Sequence, residues 1–223
     1  MKVLALDTAT TDLVTGIVDT DTGESIDRVI TDTRAHNEQL IPTIEQLLVD
    51  ASLAYPDLSA LVVGTGPGPF TGLRVGMATA SALGVALNLP VHGVCTLDVM
   101  AHGRAGEWLV AIDARRKEVY WGIYADGRRV SGPEVSKPET LELTSGSARL
   151  VFPESIAPRL PEELSGLPRE WATPRAAGLV ACADLTAEPE PLVPLYLRRP
   201  DAKVPQAKPR STALIGGADL PES

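Results

Sequence analysis

Aromatic residues, cysteines and histidines are all scarce in this sequence. Aromatic side chains account for 4% of the 223 residues, so the core must consist mainly of Val, Leu, Ile and Ala. The two cysteines, Cys95 and Cys182, form no CxxC pair and stand among apolar residues, which favours small core residues over a disulfide or a nucleophile. The histidines are His36, His92 and His102, and because no two are four residues apart, they form no two-histidine metal site on a helix.

Positive charge and long apolar runs are also in short supply. The formal net charge is -9, whereas binding a nucleic acid unaided needs a basic surface. No run approaches the ~20 apolar residues of a membrane helix, and Asp7 cuts the first apolar run too short for a signal peptide. We therefore expect a cytoplasmic protein that contacts no membrane and reaches RNA only through a partner.

Apolar patterning predicts alternating strands and helices in the first half of the chain. Asn37 is a candidate N-cap for the first helix, although Pro42 also allows a start nearer Ile41. Strands are expected at 2–6, 13–18, 25–31, 61–63 and 91–94, and helices over about 37–51, 71–88 and 96–101.

A second copy of the opening pattern follows near residue 109. Leu4–Val18 aligns with Val110–Tyr124 without a gap at an offset of 106 (113 minus 7), and four residues are identical, among them Asp7 and Asp113. Two unrelated hairpins could agree as well, whereas a duplication predicts two related halves that each contain a β-meander and a helix. Such halves are typical of the two-lobed actin-like ATPase (ASKHA) fold, which is an α/β fold.

The expected organisation is an N-terminal lobe at 1–103, a C-terminal lobe at 104–199 and a disordered tail at 200–223. Past residue 130 the patterning weakens. It still indicates a strand near 150–152, a helix near 175–182 and a last extended segment at 194–198.

A Gly/Pro-rich run from Gly64 to Arg74 separates a strand from a helix. Glycine lets a backbone approach a ligand closely, and a helix N-terminus can hold an anion. The run lacks the Gly-Lys-[Ser/Thr] ending of a P-loop. It fits either an anion site that includes Gly66, Gly68 and Thr71, or a tight connection with Thr71 near the helix cap.

The helix that follows carries a ridge of small residues four apart, which are Gly72, Gly76, Ala80 and Gly84. Glycine inside a helix costs about 1 kcal/mol relative to alanine, so another backbone is expected to pack very closely there. That backbone belongs either to the protein's own sheet or first helix, or to a partner helix.

Asp7 and Asp113 each end an apolar strand at the start of a turn. Across a two-lobed cleft, such a pair could hold Mg²⁺ and phosphate. Neither is followed by the glycine of an actin-like Asp-x-Gly phosphate loop, which favours a turn-capping role. Three short basic clusters are expected to lie on solvated surfaces: Arg115-Arg116-Lys117, Arg128-Arg129 and Arg198-Arg199.

Several stretches together resemble the TsaB family, also called YeaZ, over roughly residues 1–200. The run Gly66-Pro67-Gly68-Pro69-Phe70-Thr71-Gly72-Leu73-Arg74 is quite specific. The others are Leu4-Ala5-Leu6-Asp7-Thr8-Ala9-Thr10, His36-Asn37-Glu38-Gln39-Leu40-Ile41-Pro42, Asp113-Ala114-Arg115 with Glu118-Val119-Tyr120, and Tyr196-Leu197-Arg198.

The resemblance implies a shortened relative of TsaD, the subunit that transfers a threonylcarbamoyl group to the adenosine beside the tRNA anticodon. TsaD carries an iron-type metal on two histidines, and Thr96 and Met100 stand at the corresponding positions here. The resemblance thus implies a scaffold subunit that binds no metal and is not catalytic alone. It also implies pairing with TsaD through the first two helices and addition of the ATPase TsaE. When TsaD is absent, the same face is expected to form a homodimer, because an exposed apolar patch favours burial. ATP or ADP is expected only at the level of the complex.

The residues assigned to each role follow from these expectations. The expected partner interface comprises His36, Leu40, Ile44, Leu47, Gly72, Arg74, Gly76 and Ala80. The candidate anion- or nucleotide-facing residues are Asp7, Gly66, Gly68, Thr71 and Asp113.

Two other functions remain open on the sequence. A small-molecule kinase or ATPase of the actin-like superfamily would need a phosphate loop with glycine, which is missing. A protease would need metal ligands or a nucleophile–base pair, and neither can be identified in the sequence.

Overall fold

The computed structural model describes residues 1–143 and 148–198, which form two five-stranded sheets. The first sheet has the order β3-β2-β1-β4-β5, in which β1 pairs antiparallel with β2 and parallel with β4. Its strands are β1 (Lys2–Asp7), β2 (Leu13–Asp19), β3 (Ser25–Ile30), β4 (Ala60–Gly64) and β5 (Val91–Val94), and its helices are α1 (His36–Asp50) and α2 (Phe70–Leu87).

The second sheet has the order β10-β9-β6-β7-β8, so the chain runs through it with the same topology as the first. Its strands are β6 (Glu107–Asp113), β7 (Val119–Ala125), β8 (Arg128–Ser136), β9 (Arg149–Val151) and β10 (Arg169–Glu170), and the remaining helices are α3 (Thr96–Ala101), α4 (Glu162–Ser165) and α5 (Ala176–Ala181).

The repeated topology confirms the duplicated, actin-like α/β fold. Strands β1 and β6 end at Asp7 and Asp113, and β2 and β7 begin at Leu13 and Val119, so both boundaries are 106 residues apart. The two hairpins nevertheless differ by one residue in register. Asp7 pairs with Val14, whereas Asp113 pairs with Val119.

The first sheet is buried on both faces. Leu4 and Leu6 of β1 point to the face that α1 and α2 cover, and Val3 and Ala5 point to the opposite face. The helix that covers this second face is α5, which comes from the far end of the chain.

Two helices pack on the sheet that lies on the other side of the expected boundary near residue 103. α3 precedes that boundary, yet its Leu97 and Met100 pack with Trp108 and Val110 of the second sheet. α5 follows the boundary and packs on the first sheet. The expected tail at 200–223 lies outside the described residues.

Two helices differ from their predictions in informative ways. α1 begins at His36, before both expected starts, and contains the exposed Pro42 in its interior. α2 begins one residue earlier than predicted and, by length and composition alone, could cross a membrane. One such helix is weak evidence for a membrane span, and one side of α2 packs against β1 and β4.

Candidate functional site

The Gly/Pro-rich loop folds directly onto the β1–β2 turn. The Thr8 hydroxyl donates to the Gly72 carbonyl at 2.7 Å and accepts from the Gly76 amide at 3.1 Å. A Cβ added at Gly68 or Gly72 would collide with the carbonyl of Ala9 or of Thr8, respectively. The glycines therefore permit close backbone packing of this loop on the β1–β2 turn.

Asp7 lies under this loop and is fully buried. Its carboxylate accepts hydrogen bonds from the Ala9 amide and the Thr96 hydroxyl, both at 2.7 Å. Burial raises the pKa of Asp7 to about 6, and the two hydrogen bonds oppose that rise. Asp7 thus caps its own turn and is closed to ligands, which corrects its assignment as an anion-facing residue.

The small-residue ridge of α2 faces the protein's own sheet. A Cβ at Gly76 would collide with the Thr8 hydroxyl, and a Cβ at Gly84 would collide with the Val91 side chain. Ala80 is fully buried. On α1, the expected interface residues Leu40, Ile44 and Leu47 are likewise at most 1% exposed and lie in the core. These five residues of the predicted interface (Leu40, Ile44, Leu47, Gly76 and Ala80) therefore lie in the protein's own core.

The opposite side of α2 is exposed and carries small side chains, and we call it the outer face of α2. It consists of Ala78, Ser81, Ala82, Val85 and Ala86. Val85 is 85% exposed, and no charged residue occurs between Arg74 and the end of the helix. α1 adds exposed apolar side chains at Ile41 and Val49. An apolar surface of this kind is typical of a site that another protein covers.

A cavity of about 320 Å³ brings together predicted residues of both groups. His36 and Gly72 were expected at the interface, whereas Thr71 and Asp113 were expected to face an anion; all four line this cavity together with Arg115. Nε2 of His36 is buried without a hydrogen-bond partner among the described residues. Asp113 is exposed and accepts a hydrogen bond from the Arg115 amide at 2.7 Å, so unlike Asp7 it remains open.

A larger cavity of about 560 Å³, which we call the arginine pocket, lies beside it between the two lobes. Phe70 at the start of α2 stacks on Tyr196 with ring centroids 5.3 Å apart. The Arg74 guanidinium lies 3.8 Å from the centre of the Phe70 ring and donates to the Tyr196 hydroxyl at 3.1 Å. The remaining lining includes Arg115, Arg116, Arg198 and Tyr120.

One wall of the arginine pocket is the β6–β7 turn, in which Arg115, Arg116 and Lys117 all have positive φ (64°, 53° and 65°). Each such non-glycine residue costs about 1–3 kcal/mol and persists only where its surroundings hold it. Arg198 donates to the carbonyls of Ala114 (3.0 Å) and Arg115 (3.4 Å) and pairs with Glu118. Arg159 donates to the Lys117 carbonyl at 2.8 Å. We call residues 114–118 the arginine turn.

Sequence reasoning missed this pocket as a unit. The basic clusters at 115–117 and 198–199 were noted and assigned to solvated surfaces, and Tyr196-Leu197-Arg198 was noted only as a family stretch. The available signal was that Phe70, Arg115 and Tyr196-Leu197-Arg198 all belong to the resemblance motifs. Their convergence on Phe70 joins positions 126 residues apart (196 minus 70) and depends on tertiary structure.

Thr96 and Met100, the two positions at which the resemblance led us to look for metal ligands, make other contacts. Thr96 donates to Asp7, and Met100 is buried in the core. Within residues 1–143 and 148–198, no group of three or more His, Cys, Asp or Glu side chains could hold a metal ion.

Two sheets of identical topology with a cleft between them define a protein of the actin-like class, and comparisons with known proteins specify the family. A family model described as TsaD, tRNA N6-adenosine threonylcarbamoyltransferase, matches residues 29–164. The solved structure of YeaZ from Pseudomonas aeruginosa superposes with a TM-score of 0.75 at 27% identity, covering 88% of this chain and 99% of that one. The chain therefore belongs to the TsaD family, in its TsaB (YeaZ) branch.

Two relatives show how far the similarity extends. An uncharacterized protein of Mycobacterium leprae is 50% identical over 206 residues, which are 90% of this chain and 56% of the relative. The tRNA threonylcarbamoyladenosine biosynthesis protein TsaB of Escherichia coli K12 is 36% identical over 129 residues, 56% of this chain and 55% of that protein. The matched regions thus span little more than half of either relative.

Proposed function

We propose that this chain acts in the biosynthesis of threonylcarbamoyladenosine in tRNA, as the scaffold subunit that docks a TsaD-type transferase. The relatives named TsaB support the role in this pathway. The buried Asp7 and the absence of a metal-binding group among the described residues favour a non-catalytic subunit. A TsaE-type ATPase would join this pair, and a homodimer would form when the transferase is absent.

The observation that carries the proposal is the outer face of α2. Thirteen residues from Val75 to Leu87 contain no charge, and Val85 is 85% exposed. Small side chains on this face allow the backbone of a partner helix to approach closely. An uncovered apolar face would also pair with a second copy of itself, which explains why the same surface would form a homodimer.

The test places a charge on the outer face of α2. Ala82→Glu is expected to prevent co-elution with the TsaD protein of the same cell, because burying an unpaired carboxylate in an apolar interface is strongly unfavourable. Size-exclusion chromatography with light scattering measures the complex, and also the homodimer of the chain alone.

The matched control is Ala177→Glu, the same substitution at an exposed position of α5. It should leave both the complex and the homodimer as in the wild type. If Ala82→Glu still co-elutes with TsaD, the outer face of α2 is not the docking surface.

A kinase or ATPase of the actin-like superfamily is the alternative function. The packing of Gly68 and Gly72 against the β1–β2 turn disfavours it, because Asp7 lies buried beneath this loop. Calorimetry with ATP and Mg²⁺ distinguishes the two functions. Micromolar binding that Asp7→Ala abolishes would favour the enzyme.

A further inference from the structure

β3 forms an open edge of the first sheet, because among the described residues it pairs with β2 alone. The β2–β3 ladder has six consecutive pairs without a bulge, and β3 contains no proline. The equivalent edge of the second sheet is β8, where the ladder shifts register twice and Pro133 lacks an amide hydrogen. Interruptions of this kind prevent another strand from pairing with an edge. β3 lacks them and can therefore accept a further strand.

The hydrogen-bond pattern identifies which backbone groups of β3 point outward. The Asp19 amide donates to the Glu24 carbonyl at 2.9 Å, so this pair beside the ladder is a hydrogen-bonded one. Hydrogen-bonded and non-hydrogen-bonded pairs alternate along an antiparallel ladder. Ser25, Asp27 and Val29 therefore direct their N–H and C=O groups away from β2, and no other strand of the described residues takes them up.

A groove of about 570 Å³ follows this edge between β3 and α1. Its lining includes residues 26–30, and because consecutive side chains of a strand point to opposite faces, a cavity that touches all five must run along the open edge. The wall from α1 includes four residues spaced four apart, which are Glu38, Pro42, Gln46 and Asp50. They extend over about 18 Å of the helix axis, which is the length of an extended segment of about six residues.

The surface around the groove carries most of the protein's negative charge. Residues 19–57 contain nine aspartates and glutamates but two arginines, a net charge of -7, whereas the whole chain has -9. Asp50 pairs with Arg28, and Glu38 has no ion-pair partner among the described residues. The two half-buried isoleucines of β3 add apolar contacts along the groove. These features complement an extended segment in which basic and apolar side chains alternate.

We propose that the edge of β3 binds a basic, extended peptide segment of a partner protein, which joins the first sheet as an added strand. The outward backbone groups of Ser25, Asp27 and Val29 provide the affinity, and Glu38 selects for Lys or Arg side chains. The site shares no residue with the outer face of α2, so it is separate from the proposed docking of a TsaD-type transferase.

The experiment is calorimetric titration of the full chain with three synthetic peptides, each acetylated and amidated. The probe is Lys-Val-Lys-Val-Lys-Val-Lys, the second peptide has Glu in place of every Lys, and the third has Pro in place of every Val. At about 50 mM salt, where charge is little screened, the probe should bind. The other two should bind at least about tenfold more weakly, because one repels the groove and the other cannot pair as a strand.

Two pairs of variants locate the binding on the protein. Val29→Pro removes an outward amide hydrogen of β3 and should weaken binding of the probe about tenfold. Val29→Ala, its control, shortens the same side chain but keeps the amide and should bind as the wild type does. Glu38→Gln removes a charge from the groove and should weaken binding about threefold. Its control is Glu45→Gln, at an exposed position of α1 outside the groove, which should have no effect.

Three results would overturn the proposal. The probe could fail to bind the wild type below about 1 mM, either altered peptide could bind as tightly as the probe, or Val29→Pro and Glu38→Gln could bind as tightly as their controls. If Val29→Pro does not fold, as judged by circular dichroism, the Glu38→Gln pair still decides the matter.

Two other occupants would also overturn it. A dimer that Val29→Pro dissociates and Ala82→Glu does not, measured by light scattering, would identify a second copy on the edge. Tighter binding of the probe after Lys203→Glu with Lys208→Glu would identify this chain's own C-terminal segment. Val29→Pro should leave co-elution with TsaD unchanged, so failure of this proposal and failure of the docking proposal are distinguishable.

Discussion

Asp7 and Asp113 occupy equivalent positions in the two halves, yet their surroundings make them different groups. Asp7 is fully buried beneath Gly64, where an added Cβ would collide with the carboxylate. Asp113 is exposed and lines a cavity. The duplicated sequence therefore preserves the turn, in which each aspartate accepts an amide hydrogen bond from the residue two positions later. It does not preserve accessibility.

The buried Asp7 should make stability depend on pH. Its folded-state pKa of about 6 lies above the ordinary aspartate value of 3.8, so the unfolded chain releases its proton at a lower pH than the folded protein does. The free energy of unfolding should therefore fall by up to about 3 kcal/mol as pH rises from 4 to above 6. Asp7→Asn removes this titration. In urea unfolding, the free energy of unfolding of the variant should therefore fall less between pH 4.5 and pH 7.5 than that of the wild type.

Asp113→Asn is the matched control for this pH dependence, since it makes the same change at the exposed equivalent position. It should leave the difference in unfolding free energy between the two pH values as it is in the wild type. Equal pH dependence of Asp7→Asn and wild type would mean that Asp7 is ionised in the folded protein throughout this range.

At the scale of elements, α2 has two faces with different requirements. Its inner face needs glycine, because the Gly76 Cα lies against the Thr8 hydroxyl and the Gly76 amide donates to it. Its outer face needs small apolar residues only if a partner covers it. Gly76→Leu would therefore disrupt the monomer itself, contrary to the expectation of a folded monomer that follows from placing Gly76 at an interface.

Gly76→Ala tests this assignment of the inner face. Alanine gains about 1 kcal/mol of helix propensity, but the added Cβ must displace Thr8, and overpacking of this kind costs about 1–3 kcal/mol. We expect a net loss of stability in urea unfolding. The control Ser81→Ala, on the outer face, should raise stability slightly, and a stabilised Gly76→Ala would show that Thr8 can move aside.

At the scale of the whole molecule, α5 follows the second sheet in the sequence but packs on the first. Ala176 packs against Gly16 of β2, its amide donates to Asp27 at 2.8 Å, and Thr173 donates to Asp12 at 2.7 Å. Leu179 is fully buried in the core on this face of the first sheet. The first lobe is therefore incomplete without a segment that follows the second.

Leu179→Ala should reveal this coupling. It removes core contacts of the first lobe at a cost of about 2–5 kcal/mol. All three tryptophans lie between residues 108 and 171, outside the strands of the first sheet. If the lobes unfold together, tryptophan fluorescence and far-ultraviolet circular dichroism should shift equally in urea. The exposed Ala177→Gly is the control, and an unmoved fluorescence transition would mean that the lobes unfold independently.

Much of the fold could be predicted from local pattern. The strands of the first half and α2 and α3 fall within one or two residues of their predicted bounds, because apolar periodicity and Gly/Pro punctuation act over a few residues. β8 was not predicted, since Arg128–Ser136 is polar and mostly exposed and so carries little hydrophobic signal. The partner interface was predicted less well. The spacing of Gly72, Gly76 and Ala80 shows that one side of α2 packs closely against something, but it does not show whether that is the protein's own sheet or a partner helix.

The sequence by itself determined the duplicated α/β architecture and the family, because the repeated strand–Asp–turn–strand pattern and the Gly-Pro-Gly-x-Phe-Thr-Gly-Leu-Arg run are local and contiguous. Only the tertiary structure decided which face of α2 is buried and that Asp7 is closed. It alone also brought Phe70, Arg115 and Tyr196 to one pocket. The physical reason is that accessibility and convergence depend on what packs against a residue from distant parts of the chain.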